Sequence, residues 1–113
     1  MTLSQLSPQH REAARECIAF IVQSRELDGE FESRIGATED RAREILRAWP
    51  SVDDSSDDHD ATLVINSAFN EVCHGVTISD DNWPRWFTLS REAVLEAYRA
   101  WARARGWTYT GIR

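Results

Sequence analysis

Apolar residues recur at helical spacing in four stretches of this sequence, and most of these stretches are bounded by residues that start or stop helices. The stretches cover residues 7–25, 38–50, 60–75 and 90–106. Three of them begin with a Ser or Thr that can cap a helix, and three end at a Pro or Gly that does not continue one. Because these local signals agree, the sequence predicts an all-α fold, a compact bundle of about four main helices.

Two shorter segments complete the predicted fold. Phe31 and Ile35 lie one turn apart before a glycine, which predicts a short helix, and the turn over residues 81–87 predicts a second one. Residues 76–78 and 107–110 have a β-like pattern. A minimal two-stranded ribbon between them is the one departure from a helical fold that this pattern allows.

The chain length and an internal similarity describe the domain organisation. We expect residues 1–113 to fold as a single helical domain, because 113 residues is the size of one ordinary domain. Residues 31–49 align with residues 83–101, with four identities in the second half of the alignment and coinciding cap positions. A duplicated unit of one short and one long helix explains this similarity, and so does the general likeness of capped amphipathic helices.

Charge is distributed unevenly along the chain. The formal net charge is -6, and all 13 basic residues are Arg. Residues 1–78 contain 7 Arg against 15 acidic residues, whereas residues 79–113 contain 6 Arg against 4. An acidic protein repels the phosphate backbone, so nucleic acid is a disfavoured partner, confined to the C-terminal third.

Several classes of function lack the sequence signals that they need. No apolar run approaches the roughly 18 residues of a membrane helix, and the N-terminus lacks the pattern of a secretory signal, so we expect a cytoplasmic protein without a membrane partner. Cys17 and Cys73 have neither the number of a disulfide framework nor the spacing of a zinc site. Nucleophile elbows and phosphate-binding glycine loops are missing. We therefore expect no catalytic residues, no metal and no cofactor, and we interpret the protein as not an enzyme.

An acidic segment precedes the third main stretch. Residues 51–60 contain five Asp and three Ser, a composition that predicts a solvated loop, and we expect an Asp at its end to cap the following helix. Counted as a calcium loop from Asp53, the segment has Asp58 where the turn needs Gly and Val64 where the last ligand must be Glu. The sequence therefore disfavours a dedicated calcium site.

The C-terminal third concentrates aromatic and basic residues. Seven of the 11 aromatic residues lie in residues 79–113, interleaved with Arg. Trp, Tyr and Arg dominate the energetics of protein–protein interfaces, and they also form stacking platforms for single-stranded nucleic acids. Most of these rings are expected to fill the core. The residues that we expect to face a partner are Trp83, Arg85, Trp86, Arg99, Arg103 and Trp107.

A polar stripe runs along the most apolar predicted helix. Asn66, Asn70 and His74 follow one another at helical spacing. A buried amide needs a hydrogen-bonding partner, so the stripe either braces neighbouring elements or lines a pocket for a small ligand. Glu71 and His74 form one Glu-x-x-His pair, but the second pair of a dinuclear metal site is missing, so we interpret this pair as structural.

Three short motifs resemble a pattern found in a group of small bacterial proteins of no known activity. They are F-x-x-R-I-G at 31–36, W-P with the following Asp/Ser-rich loop at 49–58, and I-N-x-A-F-N-E-V at 65–72. The resemblance spans about residues 7–105. It implies no ligand, no activity and no catalytic residue.

These observations predict a small soluble protein that acts by binding another protein or a second copy of itself. An inhibitor, an immunity or antitoxin-like partner, and an adaptor are roles of this kind. One alternative is a nucleic-acid-associated regulator that uses the Arg and aromatic residues of the C-terminal helix. The other is a small-ligand pocket lined by Asn66, Asn70 and His74.

Overall fold

The computed structural model describes residues 3–107, and within them it contains helices and no β-strand. Four longer helices and two short ones confirm the predicted all-α fold. They are α1 (Pro8–Gln23), α2 (Phe31–Ile35), α3 (Glu39–Ala48), α4 (Asp60–Asn70), α5 (Trp83–Trp86) and α6 (Arg91–Ala104). A 3-10 turn, Leu3–Gln5, precedes α1, and a π-helical turn, Glu71–Gly75, continues α4.

The ribbon that the sequence allows is not formed by the part of the chain that the structure describes. Residues 76–78 follow the π-helical turn without strand pairing. Of the expected partner segment, 107–110, only Trp107 belongs to the described residues, and the remainder lies outside them.

Side-chain caps begin three helices where the sequence predicts them. Ser7, Thr38 and Ser90 each accept a hydrogen bond, 3.1 Å long, from the backbone N–H three residues later. The start of α4 is different, because the Nδ1 atom of His59 accepts from the N–H of Ala61 at 3.3 Å. The prediction of an Asp cap is wrong because the Asp residues ahead of α4 are held by other groups or already lie within the helix.

Helices α1 and α4 share the centre of the fold. Helix α4 packs against α1, α2, α3 and α6, and α1 packs against α3, α4, α5 and α6. Phe69 of α4 stacks on Tyr98 of α6 with ring centroids 5.2 Å apart, and Trp101 of α6 is completely buried. The apolar faces thus meet in one core. None of the helices within residues 3–107 combines the length and the apolar character that crossing a bilayer requires.

A partly buried ion pair joins α2 to the π-helical turn that continues α4. Arg34 donates from Nε to Oε2 of Glu71 at 3.2 Å and from Nη2 to Oε1, and the Glu71 side chain is 9% exposed. Ser67 of α4 donates to the carbonyl oxygen of Ile35 at 2.9 Å. A Cβ at Gly75 would overlap Oε1 of Glu71, so the absence of a side chain there makes room for the pair. Two of the three motifs noted in the sequence therefore meet in space.

The acidic loop between α3 and α4 is largely exposed, as predicted, but one of its residues, Asp54, is buried and anchors the loop to the rest of the protein. Asp54 is 1% exposed, and its Oδ2 accepts from the N–H of Leu3 at 2.7 Å. Arg105, just after α6, donates to the carbonyl oxygen of Asp54 at 2.8 Å and to Oδ1 of Asp57 at 2.6 Å. The loop thus joins the N-terminal turn to the end of α6, a long-range arrangement that composition does not reveal.

The two aligned segments of the sequence have the same order of elements. Residues 31–49 form a short helix, α2, and then α3, and residues 83–101 form a short helix, α5, and then most of α6. The connections differ, because α2 ends at Gly36 with φ of 89° and α5 runs into extended backbone at Phe87. A duplicated origin of the two segments stays a prediction.

Candidate functional site

Trp83 is held by contacts within its own chain. Its Nε1 donates to the carbonyl oxygen of Leu89 at 2.7 Å, and its ring stacks on Phe87 with centroids 4.1 Å apart. The guanidinium carbon of Arg91 lies 4.5 Å from the ring centroid. Trp83 also borders a cleft of about 180 Å³, whose other lining residues include Cys73. With its polar atom satisfied and its ring packed, Trp83 stabilises the connection between α5 and α6.

Trp86, at the other end of α5, lies between two further clefts. Its ring packs edge-on against Phe20 of α1, with centroids 5.4 Å apart and an interplanar angle of 89°, and the side chain is half-buried. Clefts of about 210 Å³ and about 270 Å³ lie between α1 and α5, and Trp86 and Arg85 line both of them. We call this pair of clefts the α1–α5 groove. Its other lining residues are Arg15, Glu16, Ala19, Phe20, Gln23, Ser24, Glu26, Thr77, Ile78, Asn82, Pro84, Phe87 and Thr88.

Four charged residues line the α1–α5 groove, and two of them are occupied by structural contacts. Glu16 is 3% exposed and accepts from the N–H of Thr88 at 3.0 Å and from its hydroxyl at 2.6 Å. Arg15 forms a bidentate ion pair with Glu12, and the hydrogen bond from Arg15 lowers the pKa of that carboxyl.

The other two charged residues of the groove, Glu26 and Arg85, are exposed. Arg85 donates to Oδ1 of Asn82 at 3.4 Å. Within residues 3–107, neither Glu26 nor Arg85 forms an ion pair. A docked molecule can therefore reach a cation and an anion beside the Trp86 ring.

The exposed arginines of α6 are balanced by an acidic neighbour. Arg103 donates to Oε1 of Glu96 at 2.9 Å, and Arg99 lies 3.9 Å from its Oε2. The hydrogen bond from Arg103 is the main reason that the pKa of Glu96 lies below its usual value. A carboxylate between two guanidinium groups weakens the attraction of this face for phosphates, since charge of both signs acts at the same place.

Trp107 and the adjacent Arg105 belong to a packed cluster at the end of α6. The Trp107 ring meets Trp101 edge-on, with centroids 6.5 Å apart, and is half-buried. The guanidinium carbon of Arg105 lies 5.1 Å from the Trp101 ring centroid and 5.2 Å from that of Trp107. The Arg105 side chain is 5% exposed, so this arginine holds the acidic loop rather than facing solvent.

The polar stripe does not form one continuous face. Asn66 is half-buried, Asn70 is 8% exposed and His74 is exposed, because the helix widens into the π-helical turn after Asn70. The His74 ring lies 6.2 Å from that of Tyr98. Oδ1 of Asn70 accepts no hydrogen bond from the described residues. None of the three side chains lines the clefts described above.

The structure also describes the surroundings of the metal-ligating residue types. Within residues 3–107, no group of three or more His, Cys, Asp or Glu side chains is arranged so that it could hold a metal ion. The carboxylates that are buried have other partners: Glu16 with Thr88, Asp54 with Leu3 and Arg105, and Glu71 with Arg34.

Both cysteines are free thiols that burial makes hard to ionise. Burial raises the pKa of Cys73 to about 12, and it also raises that of the fully buried Cys17. At pH 8, a thiol with this pKa is ionised to only roughly 10⁻⁴, and the thiolate is the reactive form. We therefore expect both thiols of the native protein to react with iodoacetamide far more slowly than free cysteine, and at the ordinary rate once the chain is unfolded in urea.

The same shift predicts a dependence of stability on alkaline pH. Because the folded state holds the thiol protons to higher pH than the unfolded chain does, the free energy of unfolding falls as the pH rises above about 9. Cys73→Ser should remove the contribution of Cys73 to the slope of the free energy of unfolding against pH, as measured by unfolding at a series of pH values. Labelling of native Cys73 at the rate of a free thiol would contradict the raised pKa on which both predictions depend.

Sequence reasoning missed the residues that complete the groove. Ala19, Gln23 and Glu26 come from α1 and the turn after it, whereas the interface residues named from the aromatic and Arg pattern lie in the C-terminal third. The sequence gives only a weak signal for these residues, because Ala19 and Gln23 lie outside the most apolar face of the first helix. The structure brings Arg85 and Trp86 together at this groove and leaves Arg99, Arg103 and Trp107 elsewhere.

Comparison of the chain with protein-family models, with curated proteins and with solved structures found no match.

Proposed function

We propose that this protein is a non-catalytic binding module that recognises a protein surface through the α1–α5 groove, with Trp86 as its central anchor. The observation that carries the proposal is the position of Trp86, which lines two adjoining clefts and is half-buried. A partly exposed Trp beside an Arg is typical of the residues that contribute most to protein–protein affinity.

The composition of the groove supports binding more than chemistry. Neither His nor Cys is among the residues that line its two clefts, and these are the side chains most often used as general bases and nucleophiles. The buried carboxylate of the groove, Glu16, is held by Thr88. What the groove offers is a ring, two exposed charges and the apolar side chains of α1 and α5.

The nucleic-acid alternative rests on the arginines of α6 and is less well supported. Glu96 forms ion pairs with Arg99 and Arg103, so these two cations do not act as an unopposed basic stripe. The experiment below includes nuclease treatment, because binding through phosphates would be lost with the nucleic acid.

The test is capture from a lysate of the source organism with the tagged protein and two matched variants. Arg85→Glu reverses a charge in the groove, whereas Arg47→Glu reverses one on the exposed side of α3, outside the groove. Both arginines are exposed, so we expect both variants to fold. After nuclease treatment, one protein should be retained by the wild type and by Arg47→Glu, and retained about tenfold less by Arg85→Glu.

Two results would contradict the proposal. Equal retention by all three forms would place the binding surface outside the groove. Loss of every captured protein upon nuclease treatment would favour the nucleic-acid alternative instead. Trp86→Ala extends the test to the ring itself, provided that its thermal unfolding temperature shows a folded protein.

A further inference from the structure

We infer that the occupant of the α1–α5 groove is a second copy of this chain, docked about a two-fold axis that passes between Glu26 and Arg85. This inference rests on the proposed function, since it assigns a partner to the same groove. It is carried by the charge balance of the groove, by the placement of two exposed opposite charges in one cleft, and by the position of Trp86.

The charge balance of the groove favours a like-charged partner over a basic one. The chain has a formal net charge of -6, whereas the charged residues lining the groove are two Arg and two Glu, with a sum of zero. Two copies repel each other over most of their acidic surface and can approach with the least cost through a neutral face. A strongly basic partner would gain more on the acidic surfaces than in this groove.

The groove is also complementary to itself. Glu26 and Arg85 line the same cleft, both are exposed, and neither forms an ion pair with a described residue. In a two-fold interface the same patch is used by both copies, so any contact between two different residues occurs twice. An axis between these side chains pairs Glu26 with the partner's Arg85, and Arg85 with the partner's Glu26.

Trp86 lies where such an interface needs an apolar centre. Its side chain lines both clefts, and its ring packs edge-on against Phe20, a contact that holds the ring before a partner arrives. Near a two-fold axis the ring meets its own counterpart, and the Pro84 ring beside it extends the apolar contact. A partly exposed Trp beside charged residues is the arrangement that concentrates affinity in few residues.

Sedimentation of the purified protein over a wide concentration range tests the inference. The wild type should show a reversible monomer–dimer equilibrium. Glu26→Arg and Arg85→Glu each place like charges opposite one another twice, and we expect each to weaken self-association at least about tenfold. An equimolar mixture of these two variants should form a heterodimer, because every contact across the axis is again between opposite charges. The double variant should dimerise like the wild type.

Control variants separate this effect from a change of net charge. Glu44→Arg and Arg47→Glu alter the net charge by the same amounts, but neither residue lines the groove. These controls should self-associate nearly as the wild type does, and a mixture of the two should dimerise no more strongly than either one alone. Dimerisation that Glu26→Arg and Arg85→Glu leave unchanged would overturn the inference.

Failure of this inference can be told apart from failure of the proposed function. If the purified protein sediments as a monomer at every concentration, the second copy is not the occupant. The proposed function would still stand if capture retained a different protein in an Arg85-dependent manner. If neither experiment shows any dependence on Arg85, both proposals are wrong.

Discussion

Gly75→Ala is expected to lower the free energy of unfolding by about 1 to 2 kcal/mol, although alanine is normally the better helical residue. A Cβ at this position would overlap Oε1 of Glu71 and lie 2.8 Å from its Cδ and 3.3 Å from Nη2 of Arg34. The methyl group therefore displaces the nearly buried Glu71 carboxylate, which is the end of a flexible side chain, and weakens its pair with Arg34. The estimate is below the usual range for a broken buried pair because Arg34 is 30% exposed.

The physical cause can be isolated with a thermodynamic cycle measured by urea unfolding. Once Glu71→Ala has removed the carboxylate, Gly75→Ala should cost little or even stabilise, since nothing remains for the methyl group to displace. The two substitutions must therefore be strongly non-additive. Glu30→Ala is the matched control, because that exposed carboxylate lies 3.9 Å from the same Arg34 and should change stability by less than about 0.5 kcal/mol. Additive effects of Gly75→Ala and Glu71→Ala would show that the steric account is incorrect.

The second large effect is expected at the buried end of the acidic loop. Asp54→Ala should lower the free energy of unfolding by about 2 kcal/mol or more, since it leaves the Leu3 N–H without its buried acceptor and removes a carboxylate 3.9 Å from the guanidinium of Arg105, which Asp57 still pairs. The Asp54 side chain is fully buried and that of Arg105 is 5% exposed, so bulk water has little access to the groups that the substitution leaves behind.

Two companion variants test this account of Asp54. Asp57→Ala removes a second carboxylate bonded to Arg105, but that side chain is 68% exposed, and we expect a loss well under 1 kcal/mol. Asp54→Asn keeps an oxygen for the Leu3 N–H without the charge and should fall between the two alanine variants. Hydrogen exchange of the Leu3 amide should accelerate in Asp54→Ala and not in Asp57→Ala. Equal losses for the two alanine variants would contradict a buried anchor at Asp54.

The helical framework could be predicted because its determinants act over a few residues. Ser7, Thr38 and Ser90 each cap a helix by accepting a hydrogen bond from the backbone N–H three residues later. The cap and its donor therefore lie close together in the sequence. The cap of α4 at His59 was not predicted, because it depends on a contact between residues that are far apart in the sequence. The competing Asp57 is engaged by Arg105, 48 residues away, and no local pattern signals that contact.

The sequence indicates which residue types can contact a partner, but it does not indicate which of those residues lie on one accessible surface. Trp83, Trp86 and Trp107 look alike in the sequence, each next to or near an Arg. In the structure, Trp83 stacks on Phe87 and Trp107 packs on Trp101, whereas Trp86 lies over Phe20 with clefts on both sides. Trp83 and Trp107 thus pack on rings that are close to them in the sequence, whereas the packing of α5 against α1 places Trp86 on Phe20.

The order of the helices, their ends and the apolar character of α4 follow from the sequence alone, because caps, periodicity and chain-breaking residues are local. Tertiary packing decides which charged side chains are buried in ion pairs and which remain exposed. Asp54 stands in an acidic loop and Glu71 beside a polar stripe, yet both become buried because Arg105 and Arg34 are carried to them from distant positions. Glu26 and Arg85 remain exposed because no described residue of opposite charge is packed against them. The sequence shows where each charged residue stands along the chain, but only the three-dimensional arrangement decides whether it has a partner of opposite charge.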